Sequence, residues 1–540
     1  MKLPRKFFPH YARYETKIKS APIEGTPKRI VIISDTHIAK GGIFNPEMFK
    51  KGIEEILRIK DVDYIIHLGD LTHDGTYLNY EYALDCIKPI RNEKFHIIPG
   101  NHDSRNVGHL LFEEFFGGRG FEIEDNDLYI LGIDSSIPDL DPGRIGMRIL
   151  EKVHEIFLNK PDKIKIFCFH HQLIPIPLTG RERSAIIDGG NTIQMILDSK
   201  VDLVLNGHRH ISNVYSCTNG NGELVIFNSG TLSCNKTRYR ELFTYTILEI
   251  FQKAVVFNTK KLYNDEIIER GRYINRVFSS NSTIAEKELI LKLIHIANTH
   301  FSSGNFLEKK YKNAIKQINA INADLVIHSG DVTDSNKFTE FKDALVRLKE
   351  IKHPKVIIPG NNDLRTIGWE IFPKMIGPLE PYFENDKVRV LGINSVDMSL
   401  INGNIGRKRM QETVKLFKES PKNKINIVAF YHNLIPHPKT KFDSMLSDSG
   451  NVLKFFTDLE SNIHFILTGN DHISFSLQVE DTIISSCGTL SSKDVLDLEG
   501  NTFNVINCYK NGAVEIEKYL IDTNQTELIG QYWIGNLSSE

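Results

Sequence analysis

The stretch Ile65-Ile66-His67-Leu68-Gly69-Asp70-Leu71-Thr72 is a short apolar run that ends on a glycine and a carboxylate. It returns as Val326-Ile327-His328-Ser329-Gly330-Asp331-Val332-Thr333. Three further segments return in the same order and at nearly the same separation. Ile97-Ile98-Pro99-Gly100-Asn101-His102-Asp103 pairs with Ile357-Ile358-Pro359-Gly360-Asn361-Asn362-Asp363. Phe169-His170-His171-Gln172-Leu173-Ile174-Pro175 pairs with Phe430-Tyr431-His432-Asn433-Leu434-Ile435-Pro436, and Gly230-Thr231-Leu232-Ser233 with Gly488-Thr489-Leu490-Ser491. Four independent matches in one register make the chain a tandem duplication. Each copy is long enough to bury its own core, so the units are domains and not solenoid repeats. The Ser/Asn cluster from Ser279 to Thr283 reads as the boundary. The expected division is an N-terminal extension at 1–28, a first domain at 29–280 and a second at 281–540.

Within the first copy, apolar runs at Arg29–Ser34, Asp63–Leu68, Lys94–Ile98, Leu128–Ile133, Ile164–Phe169, Val201–Leu205 and Leu224–Phe227 read as strands. Asn45-Pro46 reads as the cap and first position of an amphipathic helix running to about Ile59. Alternating strands and helices predict an α/β fold with helices covering a sheet. The polar motifs stand directly after strand ends, where open α/β folds place their sites.

The composition bounds the function. Hydrophobic residues are 41% and charged residues 25% of 540, the balance of a globular protein. Lys+Arg is 66 against 68 Asp+Glu, a net charge of -2, which argues against a duplex nucleic-acid partner. Met1 to Ser20 is basic but lacks the apolar run of a secretory signal, and no apolar stretch is long enough to span a membrane. Cys86, Cys168, Cys217, Cys234, Cys487 and Cys508 are dispersed, as in a cytoplasmic chain with reduced thiols. The sequence leaves the oligomeric state open.

Five segments of the first copy carry metal donors. They are Asp35-Thr36-His37, Gly69-Asp70, Gly100-Asn101-His102-Asp103, His170-His171 and Gly207-His208-Arg209-His210. Two divalent ions working together need a shared carboxylate and further nitrogen and oxygen donors. Imidazole and carboxylate donors without thiolate suit Mn, Fe, Zn or Co and do not choose among them. Gly69, Gly100 and Gly207 read as places where the backbone turns sharply so that the next side chain faces the site.

In this order the set resembles the calcineurin-like metallophosphoesterase superfamily, whose pattern is DxH, GD, GNH(D/E), H and GHxH. The likeness covers residues 29 to 235 and recurs in weakened form to about 492. It implies a four-layer α/β/β/α sandwich in each copy. It implies two divalent metal ions, one on Asp35, His37 and His210, the other on Asn101, His170 and His208, with Asp70 bridging. A bridging hydroxide would attack phosphorus. His102 would stabilise the developing charge and protonate the leaving alkoxide, with Asp103 orienting it. The resemblance favours His170 over its neighbour His171 as ligand. His67 and His328 read as packed strand residues, Arg105, Arg144 and Arg209 as surface or supporting residues, and His73 and His109 as plain loop and helix residues.

The second copy departs from the pattern. Against Asp35, His102, His170 and His208 stand Asn298, Asn362, Tyr431 and Asn470, while His300, Asp331, Asn361 and His472 match. The expectation is a copy that holds at most one loosely bound ion and does not turn over, unless His432 shifts role to help one position.

For the first copy the resemblance implies a metal-dependent phosphoester hydrolase. Leu131-Gly132-Ile133-Asp134-Ser135-Ser136 and Gly143-Arg144-Ile145-Gly146 resemble the cyclic-nucleotide and glycerophosphodiester branch. A phosphomonoesterase, protein phosphatase or nuclease would use the same ligands. A non-catalytic scaffold on this fold, like the retromer-type subunit, would have no need of the full ligand set with His102. For the second copy that scaffold reading is favoured.

Overall fold

The structure is a computed structural model that describes residues 25–180, 185–220, 222–239, 241–274, 288–302, 304–397, 402–421, 423–440, 445–496 and 500–535. Most of the N-terminal extension and the Ser279–Thr283 boundary lie outside these residues. Two compact units divide the chain, residues 1–217 with 222–277 and residues 218–221 with 278–540.

The first unit runs β1 (Lys28–Ile33), α1 (Pro46–Leu57), β2 (Tyr64–His67), α2 (Tyr77–Ile87), β3 (Phe95–Ile97), α3 (Gly108–Phe116), β4 (Phe121–Glu124), β5 (Leu128–Gly132) and α4 (Met147–Leu158). It continues with β6 (Ile164–Cys168), α5 (Gly189–Asp198), β7 (Leu203–Asn206), β8 (Asn213–Thr218), β9 (Glu223–Asn228), β10 (Thr244–Phe251), β11 (Ala254–Lys261) and β12 (Ile267–Tyr273). The expected strands stand within a residue or two of their places. Asn45 caps α1, its side chain accepting the Met48 N–H at 3.1 Å.

One sheet has the order β12-β11-β10-β1-β2-β3, and the other the order β8-β9-β7-β6-β5-β4. β1 shows why they stack. Its residues alternate faces, and both faces are apolar. Ile30 and Ile32 join Ile66, Ile166, Leu203, Leu205 and Val225 in a core between the two sheets. Val31 and Ile33 turn the other way, against Phe49, Ile53 and Ile56 of α1, Tyr80, Ala83 and Ile87 of α2 and Phe112 of α3. On the far face of the second sheet Phe157 of α4 packs edge-on against Phe167 and Tyr129. The result is four layers, helix on sheet on sheet on helix.

The second unit repeats this plan. One sheet orders Lys355–Ile358, Leu325–Ser329, Leu289–Ile296, Thr502–Tyr509, Ala513–Leu520 and Gln525–Trp533. The other orders Tyr382–Glu384, Val388–Gly392, Ile425–Ala429, Phe465–Thr468, Thr482–Ser486 and Phe475–Val479. Its intersheet core includes Leu293, Ile327, Ile427 and Leu467, and its helix-covered core Tyr311, Ile318, Phe341 and Phe372. Among the described residues no helix is long and apolar enough to cross a membrane.

At the base of β7, Asp202 accepts the Lys165 N–H at 2.8 Å, while the Lys165 ammonium turns to the Phe157 and Ser199 carbonyls. Burial pushes the Asp202 carboxyl up to about 7. The folded chain therefore holds this proton more tightly than the unfolded chain, whose carboxyl titrates near ~3.9. That contribution to stability is present below the unfolded value and is lost as pH rises through about 7. Asp202→Asn removes the titration. Wild type is expected to lose unfolding temperature relative to Asp202→Asn between pH 5 and pH 8, and a pH-independent gap would contradict the assignment.

Candidate metal centre

Every expected donor of the first copy stands just past the C-terminal end of a strand. Asp35 and His37 follow β1, Asp70 follows β2, Asn101 follows β3, His170 follows β6, and His208 and His210 follow β7. Asp35, His37, Asp70, His208 and His210 all have positive φ, between 49° and 74°. This left-handed backbone is uncommon outside glycine, and Asp, Asn and His tolerate it best. Cross-links between loops hold it: Asp35 N–H donates to Gly69 O at 3.0 Å, His37 N–H to Asp70 O at 2.9 Å, and Thr231 Oγ1 to Asp35 O at 2.7 Å. The glycines split into two roles. Gly69 is left-handed at φ 96°. Gly100 serves by its lack of a side chain, since a Cβ there would lie 2.1 Å from Asp70 Oδ1.

Asp70 is the meeting point. Its Oδ1 accepts the His102 N–H at 2.8 Å. Its Oδ2 faces Nε2 of His37 at 3.5 Å and Nε2 of His170 at 3.4 Å. On one side, Nε2 of His37 and of His210 lie 3.1 Å apart, and Nε2 of His210 is 3.2 Å from Asp35 Oδ1. On the other, His208 Nδ1 is 3.1 Å from Asn101 Oδ1 and 3.3 Å from His170 Nε2. Nδ1 of His170 is tied to Leu68 O at 2.8 Å and Nδ1 of His210 to Lys236 O at 2.7 Å, which leaves each Nε2 for the centre. Donor atoms of Asp35, His37 and Asp70 gather within 4.8 Å, as do those of Asp70, His170 and His208. Among the described residues, such groups lie only in the first copy.

The electrostatics are those of donors that could hold cations. Asp35 and Asp70 are buried, and Asp35 Oδ1 faces the His210 imidazole at 3.2 Å. Burial alone would depress His170, but the Asp70 charge outweighs it and raises the imidazole to about 9. Burial likewise opposes, and Asp35 raises, His210 to about 10. Burial also works against the Asp70 charge, yet His170, His102 and His37 hold that carboxyl well below its usual range. Divalent ions would compete for the same sites as these protons, so metal uptake here would release protons and strengthen with rising pH.

Several sequence expectations change. Asp103 does not orient His102. Its carboxylate accepts the N–H of Gly100 and Leu71, each at 3.0 Å, the Thr72 N–H at 2.7 Å and the Thr72 hydroxyl at 2.9 Å. Three backbone donors and a hydroxyl saturate it, so it binds the Asp70 and Asn101 loops together. His102 Nδ1 donates instead to the His73 carbonyl at 2.6 Å. His73 is therefore no plain loop residue, and its ring nitrogen also lies 3.4 Å from His37 Nδ1. The sequence reading also passed over Cys234, whose thiol belongs to a third donor group with His37 and His210. His171 spends Nδ1 on Ser135 Oγ at 2.8 Å and Nε2 on Asp141 O at 3.0 Å, which leaves His170 the one facing Asp70. His67 packs as expected, accepting the Gly69 N–H at Nδ1 and meeting Thr36 Oγ1 at Nε2, and burial lowers it to about 3. Arg105 reaches Asp141 at 3.1 Å, and Arg209 is buried with one guanidinium nitrogen on Thr179 O at 3.2 Å.

In the second copy the same loops close on themselves. Asp331 Oδ1 takes the Asn362 N–H at 2.9 Å, matching Asp70. Its Oδ2, however, takes the Tyr431 hydroxyl at 2.6 Å and the Asn362 amide at 2.9 Å. His300 Nε2 stands 4.0 Å away, and His300 Nδ1 donates to Asp334 at 2.9 Å. His432 bonds Ser395 Oγ at 2.9 Å just as His171 bonds Ser135, so it does not shift to replace a ligand. Asp363 repeats the Asp103 contacts, to Gly360, Val332 and Thr333, with distances of 2.7–3.0 Å.

The sequence profile of calcineurin-like phosphoesterases matches residues 28–212 and again 291–474. A probable glycerophosphodiester phosphodiesterase of Arcobacter nitrofigilis is 30% identical over 181 residues, 30% of this chain and 66% of the relative, just under two thirds of its length. A probable cyclic nucleotide phosphodiesterase of Vesicomyosocius okutanii is 26% identical over 225 residues, 41% of this chain and 93% of the relative. Among solved structures, the purple acid phosphatase PPD1 of yellow lupin aligns with a TM-score of 0.38 and 16% identity, over 48% of this chain and 55% of that one. Vps29 of Entamoeba histolytica complexed with zinc aligns with a TM-score of 0.25 and 13% identity, over 46% and 99%.

The repeated carboxylate staple carries a prediction. Asp103→Ala and Asp363→Ala each strand several buried N–H donors, and each is expected to cost about 2–4 kcal/mol of stability. Denaturant unfolding of both variants checks this. Full stability of Asp103→Ala with impaired turnover would restore the orienting role.

Proposed function

This chain belongs to the calcineurin-like phosphoesterase family, and on that premise we propose that its first copy is a metal-dependent phosphodiesterase with a dinuclear centre, and that its second copy is catalytically silent. One observation carries the reading: two separate donor groups converge on the single carboxylate of Asp70. Asp35, His37 and His210 would hold one divalent ion and Asn101, His170 and His208 the other, with Asp70 common to both. When bound, the pair would supply positive charge for the phosphoryl transition state and an activated water. Mn, Fe, Zn and Co all suit these donors.

The chain's own part in the chemistry falls to His102. Its Nδ1 proton is committed to the His73 carbonyl, so Nε2 is the atom available to the substrate. A proton held there would face a phosphoryl oxygen and pass to the leaving alkoxide. Burial depresses this imidazole while Asp70 pulls the other way, and an anionic phosphoryl group would add to the pull of Asp70. The relatives' names support a diester over a monoester. The six dispersed cysteines fit a cytoplasmic setting. We assign catalysis to residues 29–280 and a packing or regulatory scaffold to residues 281–540. The capped Asp331 carboxylate supports that division.

Purified full-length protein is expected to hydrolyse bis-p-nitrophenyl phosphate with Mn²⁺ and to stop when chelator is added. No turnover with Mn²⁺, Fe²⁺, Co²⁺ or Zn²⁺ in a folded sample would sink the enzyme reading. His102→Ala should lower kcat by roughly 10²–10⁴-fold with both ions retained. Asp70→Asn should abolish turnover and Asp331→Asn should leave it unchanged. Dependence on Asp331 would show that the second copy is not silent.

A further inference from the structure

We infer that His73, three residues past Asp70, is a positioning residue that sets which nitrogen of His37 faces the metal centre. The inference rests on the dinuclear reading proposed above. Nε2 of His37 is the atom that faces His210 at 3.1 Å and Asp70 at 3.5 Å. To ligate from Nε2, His37 must carry its proton on Nδ1. That proton needs an acceptor, and Nδ1 of His73 stands 3.4 Å away. His73 then keeps its own proton on Nε2, the nitrogen that faces Asp74 Oδ1 at 3.8 Å. An imidazole thus occupies a place that metal-ligating histidines usually fill with a carboxylate or a carbonyl.

The second copy supplies an independent observation. Its residue at the matching position is Asp334, and there His300 Nδ1 donates to the carboxylate at 2.9 Å. The slot is the same and only the acceptor differs. His73 also acts through a second atom. Its carbonyl receives the Nδ1 proton of His102 at 2.6 Å, and the two rings stack with centroids 5.2 Å apart. The side chain therefore serves a ligand and the main chain serves the catalytic imidazole. Any substitution keeps the carbonyl, so side-chain variants leave the main-chain bond to His102 in place.

A neutral acceptor leaves His37 a less basic ligand than a carboxylate would. This fixes an order of affinities for the ion on the His37 side: His73→Asp tighter than wild type, and wild type tighter than His73→Ala. The loss in His73→Ala should be roughly 10–100-fold, the usual effect of removing such a partner. The second ion should be unaffected.

The test is titration of full-length metal-free protein with Mn²⁺, by calorimetry and by competition with a chelator, on wild type, His73→Ala, His73→Asn and His73→Asp. His73→Asn retains an acceptor oxygen and should lie between wild type and His73→Ala. It carries the comparison with His73→Asp if the alanine variant does not fold. One weakened ion in His73→Ala with affinity restored in His73→Asp supports the role. Unchanged affinity in His73→Ala, or an equal loss in His73→Asp, overturns it. Wild type that takes up fewer than two ions would fell the dinuclear reading and this inference with it, which separates the two failures.

Discussion

Burying the Asp70 carboxylate among histidines from three different strand ends is the constraint on which the first copy is built. A carboxylate taken out of water is costly unless its lone pairs are met. Here one oxygen is met by the His102 N–H, and the other is left to two imidazole nitrogens that approach from β1 and β6. The Asp103 staple, the missing side chain of Gly100 and the left-handed turns all bring backbone close to this one group. The four-layer sandwich matters to function because it holds those loops together from separate strands that share one intersheet core.

The second copy serves as an internal control. It has the same sheets, the same staple at Asp363 and the same packed histidine at His328, which accepts the Gly330 N–H as His67 accepts that of Gly69. What changes is how the central carboxylate is satisfied. Asp331 is met by a phenol and an amide, both neutral donors, and the carboxylate opposite Asp35 is an asparagine. There neutral donors meet the carboxylate oxygens, whereas Asp70 Oδ2 faces two imidazole nitrogens.

The duplication, the strand ends and the donor residues were legible in the sequence because each depends on local pattern: apolar runs, glycines and the residues just after them. The final meander of β10, β11 and β12 was not read, although it completes the sheet beside β1 through antiparallel pairing with β10. Its pairing partner lies at the other end of the domain, and alternation alone does not name a partner. The role of Asp103 was misread for a related reason. Proximity in sequence to His102 suggested contact, whereas the turn at Asn101–Ser104 puts the Asp103 carboxylate on the Thr72 N–H and the His102 ring on the His73 carbonyl. His73 was missed because its partner, His37, is distant in sequence.

The backbone also explains which residues the second copy carries instead. Where Asp35 and His208 are left-handed in the first copy, Asn298 and Asn470 are left-handed in the second, at φ 53° and 70°. His300, Asp331 and His472 hold the same conformation as their counterparts. Asparagine, aspartate and histidine are the side chains that tolerate this region at least cost. The positions that differ without that restriction, His170 and His102, carry Tyr431 and Asn362. Tyr431 stands where φ is ordinary. The left-handed turns therefore accept asparagine where the first copy has aspartate or histidine, whereas the position of His170, at ordinary φ past β6, accepts in the second copy a tyrosine whose hydroxyl reaches Asp331 at 2.6 Å.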